Sequence, residues 1–155
     1  MMIERLKYNN LTMALYIIIC VIEEKKHIDL LRLSVLAALL QDDGVVDVMN
    51  SREEDPTFAN LRVVSRYMTV NFNRRFYNVL PLVVNSMSIL LDAGCVSIEN
   101  GEVFGNDKLE TFSSGNDDIE KGEAARKIWQ AVPSILRVTD DVSTKKMVQQ
   151  LNILI

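Results

Sequence analysis

The sequence predicts a mainly α-helical single domain carrying one β-hairpin, and three observations predict it. Apolar residues recur at helical spacing through most of the 155 residues. The dipeptide Asn100-Gly101 sits between two short runs of strand-forming residues, the pattern of a two-residue hairpin turn. That hairpin follows several helical segments and precedes others. With 48% hydrophobic residues the chain can bury one core of ordinary size. Helices followed by a hairpin is the order of a winged-helix domain. The expected organisation is therefore one winged-helix-like domain over 1–155, with a helical core plus wing over 1–105 and C-terminal helices over 117–155.

Each element has a local reason. Asn9 or Asn10 offers a cap for a first helix reaching about Lys26. It is apolar nearly all round, which predicts a central, buried helix. Lys25, Lys26 and His27 suit its negative C-terminal end. A second, leucine-rich helix is expected from about Asp29 to Gln41, ended by Asp42, Asp43 and Gly44, with a loop through "DVMNSREEDP". Asp55-Pro56 reads as a helix start, with Phe58, Leu61, Val64 and Met68 facing inward. A long helix is expected from about Arg75 to Asp92, stopped at Gly94. Residues 106 to 116 read as a polar loop. A helix from about Asp117 to Arg137 carries Ile119, Ile128, Trp129, Val132, Ile135 and Leu136, with a kink expected at Pro133. A last element runs from about Val142 to Leu151, and "LNILI" fits either a helix end or a short strand.

In the hairpin register set by Asn100-Gly101, Glu99 faces Glu102 and Ile98 faces Val103. Val96, Ile98 and Val103 then share one face. Phe104 falls on the other face with Ser97, either tucked in locally or exposed to a partner. The wing has an acidic tip, unsuited to lie along phosphates. From Phe76 to Asp107 there is no Lys or Arg, whereas Asp92, Glu99, Glu102 and Asp107 are acidic. A helix that reads bases needs long polar or basic side chains outward, and "NVLPLVVNSMSILL" offers almost none. These residues predict a partner-binding wing at Glu99, Glu102 and Phe104 rather than a DNA wing.

Positive charge collects elsewhere. No acidic residue occurs from Pro56 to Leu91, a stretch holding Arg62, Arg66, Arg74 and Arg75 among aromatic and amide side chains. These arginines are the candidate contact for DNA or an acidic partner; solvated charge answering the nearby "REED" is the alternative. The net charge of −4 makes the whole molecule no magnet for nucleic acid.

Marks of catalysis are missing. There is one histidine, no phosphate-binding glycine loop, and no cysteine spacing suited to zinc. "DDGVVD" reads as a solvated turn before it reads as a cation site. No catalytic, cofactor-binding or metal residue is expected, and no cofactor. Cys20 and Cys95 read as buried thiols of a reducing compartment. No apolar run is long enough to span a membrane and the opening "MMIERLKYNN" lacks a leader's apolar core, so a cytoplasmic location is expected.

Four segments carry a family resemblance. "YNNLTMALYIIICVIEEKKHIDLLRLSVLAALL", "RRFYNVLPLVVNSMSILLDAGCVSIENGEVF", "KGEAARKIWQAVPSIL" and "VQQLNILI" resemble the small middle components of ABC three-component systems. That group includes the small subunit of Lamassu-type bacterial defence complexes. The chain also resembles the winged-helix accessory subunits of bacterial SMC complexes. The resemblance implies a non-catalytic adaptor in an anti-phage or anti-plasmid complex. Its partners would be an SMC-like or ABC ATPase and an effector nuclease, with double-stranded DNA reached through the complex. A stand-alone winged-helix DNA-binding regulator is the alternative.

Overall fold

The computed structural model describes residues 2–51, 57–59, 72–114 and 122–155. Among them are seven helices and three short strands. The order is α1 (Met2–Lys25), β1 (His27–Asp29), α2 (Leu30–Leu40), α3 (Asp43–Met49), α4 (Phe72–Asp92), β2 (Val96–Glu99), β3 (Glu102–Gly105), α5 (Asp107–Ser114), α6 (Glu123–Thr139) and α7 (Thr144–Gln150). The strands form one antiparallel sheet in the order β1-β3-β2. A strand between the first two helices, followed by a hairpin after the long helix, gives the mainly α, winged-helix-like fold that the sequence predicts.

The helix α1 is the central post. Residues 16 to 22 are all buried, and α2, α4, α5 and α6 pack around it. The helix begins at Met2, so Asn9 and Asn10 lie inside it rather than at its cap. An asparagine inside a helix costs only about 0.7 kcal/mol against alanine, so the capping signal is easily outweighed. At the other end Lys26 takes the left-handed conformation (φ 74°), and its carbonyl accepts from the Gly105 amide at 3.2 Å. This bond ties the end of α1 to the sheet. His27 therefore opens β1 instead of closing the helix. Three residues are too few to display the alternation by which a strand is read.

Asp29 caps α2 as its side chain accepts from the Arg32 amide at 2.9 Å, and residues 33 to 40 are buried without interruption. Asp42 then starts α3 where a loop was expected, accepting from the Gly44 amide. The aspartate that ends one helix is the cap of the next, which explains the different outcome. The helix expected after Asp55-Pro56 lies almost wholly outside the described residues; Phe58, which is described, packs against the core. The long helix begins at Phe72, three residues earlier than expected, and runs through Pro81 to Asp92. Gly94 follows with φ 71°, the left-handed geometry of a helix stop.

The hairpin matches its expected register: Glu99 opposite Glu102, Ile98 opposite Val103, Ser97 opposite Phe104. Asn100 and Gly101 both have positive φ (52° and 78°), as a type I′ turn requires. Residues 107–114, expected as loop, are helical, and Leu109 is buried. The next helix starts at Glu123 after Gly122 and stays helical through Pro133; residues 117 to 121 lie outside the description. Ser143 caps α7, accepting from the Lys146 amide. The terminal "LNILI" adds neither helix nor strand beyond Gln150: Ile153 is buried, while Leu154 and Ile155 are exposed.

Two substitutions test this packing. A Cβ at Gly105 would lie 2.7 Å from Cγ2 of the buried Ile22 and 3.2 Å from Cδ2 of Leu109. Gly105→Ala is expected to destabilise by about 1–3 kcal/mol through overpacking, read as a lower urea midpoint. Ser86 is fully buried on α4, and its hydroxyl has no hydrogen-bond partner. Ser86→Ala removes that unpaired group, so thermal unfolding should show unchanged or higher stability, by up to about 1 kcal/mol.

Candidate protein-docking surface on α4 and the hairpin

The two faces of α4 are both largely apolar, and among the described residues one is packed into the core while the other is largely exposed. Phe76, Val79, Val83, Met87 and Leu90 enter the core. The other face carries Val84 at 57% exposure, Tyr77 at 44% and Leu91 at 42%, among Asn78, Asn85 and Ser88. In a winged-helix domain this is the position from which bases are read. Here it holds apolar and small polar side chains, and the acidic Asp92 closes it.

Part of this face forms one wall of an apolar groove of about 580 Å³. Leu80, Val84, Met87 and Leu91 of α4 form that wall. Leu31 and Ser34 of α2 form the opposite side, and Ile98 and Gly101 of the hairpin close one end. Leu31 and Ile98 are themselves partly open to solvent. The Leu30 amide donates to the Gly101 carbonyl at 2.8 Å, which fixes the hairpin turn against the start of α2.

A row of three carboxylates crosses the sheet on the face opposite Ile28, Ile98 and Val103. Asp29 is registered with Glu102, and Glu102 with Glu99, so the three stand in one row across the strands. Asp29 lines the groove. The Glu102 carboxylate lies 3.7 Å from Nδ1 of His27, and the His27 ring stacks on Phe104 with centroids 5.5 Å apart. Phe104 is thereby half-buried on the outer face of the sheet. Of the candidate wing residues, Glu99 is the most open. His27, Glu102 and Phe104 form one layer beneath it.

The arginine cluster is divided. Arg62 and Arg66 lie outside the described residues. Arg74 is exposed at the start of α4. Arg75 turns inward: Nη1 is 3.3 Å from Oδ2 of Asp42, and Nη2 donates to the Gln41 carbonyl at 3.2 Å. Its charge is thus engaged in holding α4 against the α2–α3 junction. Asp42, the first residue of "DDGVVD", is committed to this pair and to capping α3. No group of three or more metal-ligating side chains occurs among the described residues. Cys20 and Cys95 are buried and unbridged, and burial pushes the Cys95 thiol above its usual pKa against an opposing pull from Lys108.

Sequence reasoning missed the groove, because Leu31, Leu80 and Ile98 come from three elements whose juxtaposition no single periodicity reports. Trp129, one of the apolar residues read along the helix from about Asp117 to Arg137, does not join the core. The ring is instead 62% exposed on α6, because Ile128, Ala131, Val132 and Ile135 already supply the buried face. No family model, no curated protein and no solved structure matches this chain. No described helix is long and apolar enough to cross a membrane.

Proposed function

We propose that this chain is a non-catalytic, cytoplasmic adaptor that uses a winged-helix scaffold to bind protein. The observation that carries the reading is the character of α4 and the hairpin: an apolar groove and outward apolar side chains where a DNA reader would present cations, with Glu99 and Glu102 on the outer face of the hairpin. Exposed apolar surface of this kind marks an interaction site. The segments resembling middle components of ABC three-component and Lamassu-type systems make an SMC-like or ABC ATPase and an effector nuclease the partners of choice. In this reading the adaptor bridges the two in anti-phage or anti-plasmid defence. Arg62, Arg66 and Arg74 are then the candidate contacts for DNA held by the ATPase or for an acidic subunit. The protein's action is a shift between assemblies rather than bond chemistry.

Affinity purification of the tagged chain from its native host, read by mass spectrometry, tests this. Stoichiometric recovery of an ATPase and a nuclease is the expected result. Recovery of the chain alone, as a homodimer that binds duplex DNA, would favour the stand-alone regulator instead.

A further inference from the structure

We infer that Asn100-Gly101, at the tip of the hairpin, is a site of covalent self-modification: Asn100 closes to a succinimide with the Gly101 amide and opens again as aspartate or isoaspartate. The sequence holds one Asn-Gly pair, and this is it. The reaction needs an attacking amide nitrogen that is not held, a side-chain amide that is not held, and no bulky side chain on the following residue to crowd the ring. The hairpin tip meets all of these. Asn100 and Gly101 are both exposed. Among the described residues the Gly101 N–H has no hydrogen-bond acceptor, and the Asn100 side chain has no partner. The turn explains this: the ladder closes with Glu99 opposite Glu102 and leaves the central amide outside it. Even a Cβ added at Gly101 would meet nothing within 4 Å, so the approach is open. Asparagines at other turns are placed differently. Nδ2 of Asn106 donates to the Gly94 carbonyl at 2.7 Å, while its Oδ1 accepts from the Lys108 amide at 2.9 Å. Nδ2 of Asn50 donates to the Lys127 carbonyl at 2.9 Å. After Asn152, the Ile153 amide donates to the Val148 carbonyl at 3.0 Å.

The chemistry balances with water as the one co-reactant. The Gly101 nitrogen gives up its proton and bonds to Cγ of Asn100. The bond from Cγ to the side-chain nitrogen breaks, and that nitrogen takes the proton and leaves as ammonia. Water then opens the ring. Attack at Cγ restores the ordinary main chain with aspartate at position 100. Attack at the main-chain carbonyl carbon gives isoaspartate, with the chain now running through Cβ and Cγ. Either product sets a new carboxylate between Glu99 and Glu102, which already face each other across the strands. Facing like charges destabilise a strand pair. Isoaspartate also adds a main-chain carbon to a two-residue turn whose φ values of 52° and 78° set the strand register. The Leu30 amide donates to the Gly101 carbonyl at 2.8 Å, so the altered turn loosens its hold on the start of α2. The reaction requires no partner and is independent of the adaptor reading.

Ageing the folded, full chain in buffer tests the inference, with peptide mass spectrometry locating each asparagine that turns to acid. Conversion is expected first at Asn100, severalfold faster than at Asn50, Asn106 or Asn152. Transfer of a labelled methyl group by an isoaspartate methyltransferase should mark the aged chain. Asn100→Gly accepts the positive φ and lacks the amide. The same ageing should leave that variant almost unmarked, with its circular dichroism unchanged. Hydrogen exchange at the Leu30 amide should be faster in the aged chain than in the fresh one. An Asn100 that stays intact in the folded chain but converts in urea would overturn the inference, because the native turn would then protect it. Equal methyl labelling of the Asn100→Gly variant would do the same. A fully converted chain whose Leu30 amide exchanges as before would overturn the loosening of α2.

Discussion

Arg75→Ala is expected to lower the unfolding free energy by about 2–3 kcal/mol, although the sequence presents Arg75 as one of four surface cations. The Asp42 carboxylate is only 4% exposed and faces the Arg75 guanidinium at 3.3 Å. Taking the cation away leaves a buried carboxylate with less to offset its lost hydration, which for a fully buried pair costs about 3–5 kcal/mol. Arg75 is itself a third exposed, and water screens the pair in part, so the lower figure applies. The Gln41 carbonyl, at the end of α2, loses a donor at the same time. Arg126→Ala is the control, since Arg126 is exposed on α6; it should stay within about 0.5 kcal/mol. Urea unfolding of both variants checks the difference. Equal midpoints would show that the Asp42 contact contributes nothing and would return Arg75 to the candidate binding surface.

Arg32→Ala is expected to cost about 2–4 kcal/mol and to loosen the C-terminal helices first. The Arg32 guanidinium reaches from α2 to the turn between α6 and α7. Nη1 donates to the Val142 carbonyl at 2.7 Å, and Nη2 donates to the carbonyls of Thr139 and Val142. The Thr139 carbonyl, on the last residue of α6, also accepts from the Val142 amide at 3.1 Å, and the Val142 carbonyl lies in the turn that leads into α7. Burial lowers the pKa of Arg32 from its ordinary value, with Asp140 and Asp29 opposing the shift, but an arginine keeps its charge at every pH where the fold exists. Each charged hydrogen bond is worth about 1.5–3 kcal/mol, and the part-buried setting keeps the sum below simple addition. Arg32→Lys should recover little, because an ammonium cannot span two carbonyls as the planar fork does. Hydrogen exchange is the discriminating readout: faster exchange in residues 139–151 than in α1 is expected. Uniform acceleration would mean that Arg32 supports the core in general.

How far the sequence could be read depends on the range of the interactions involved. The buried post α1, the leucine-rich α2, the long α4 and the Asn100-Gly101 turn all declare themselves within a few residues, through periodicity or a demand for positive φ. The strand β1 does not, because its three residues become a strand only by pairing with β3. α3 was hidden because Asp42 and Asp43 serve equally to end one helix and start the next. Helix α5 was hidden by its polar composition, with only Leu109 and Phe112 supplying an inward side. The acidic, cation-free character of the wing was legible, since charge needs no three-dimensional model to count. The groove was not, because Leu31, Val84 and Ile98 meet only after α2, α4 and the hairpin have packed. Arg75 was misplaced for the same reason: its partner Asp42 is 33 residues away in sequence.

The central claim is that the outward face of α4 and the hairpin addresses protein and not DNA. Adding duplex DNA to the isolated, isotope-labelled chain and following its amide shifts tests this most directly. The account predicts that residues 77–102 stay unmoved at moderate salt. Shifts centred on α4 and the Asn100-Gly101 turn, weakening steeply as salt is raised, would contradict it and make the hairpin a DNA wing in spite of its carboxylates.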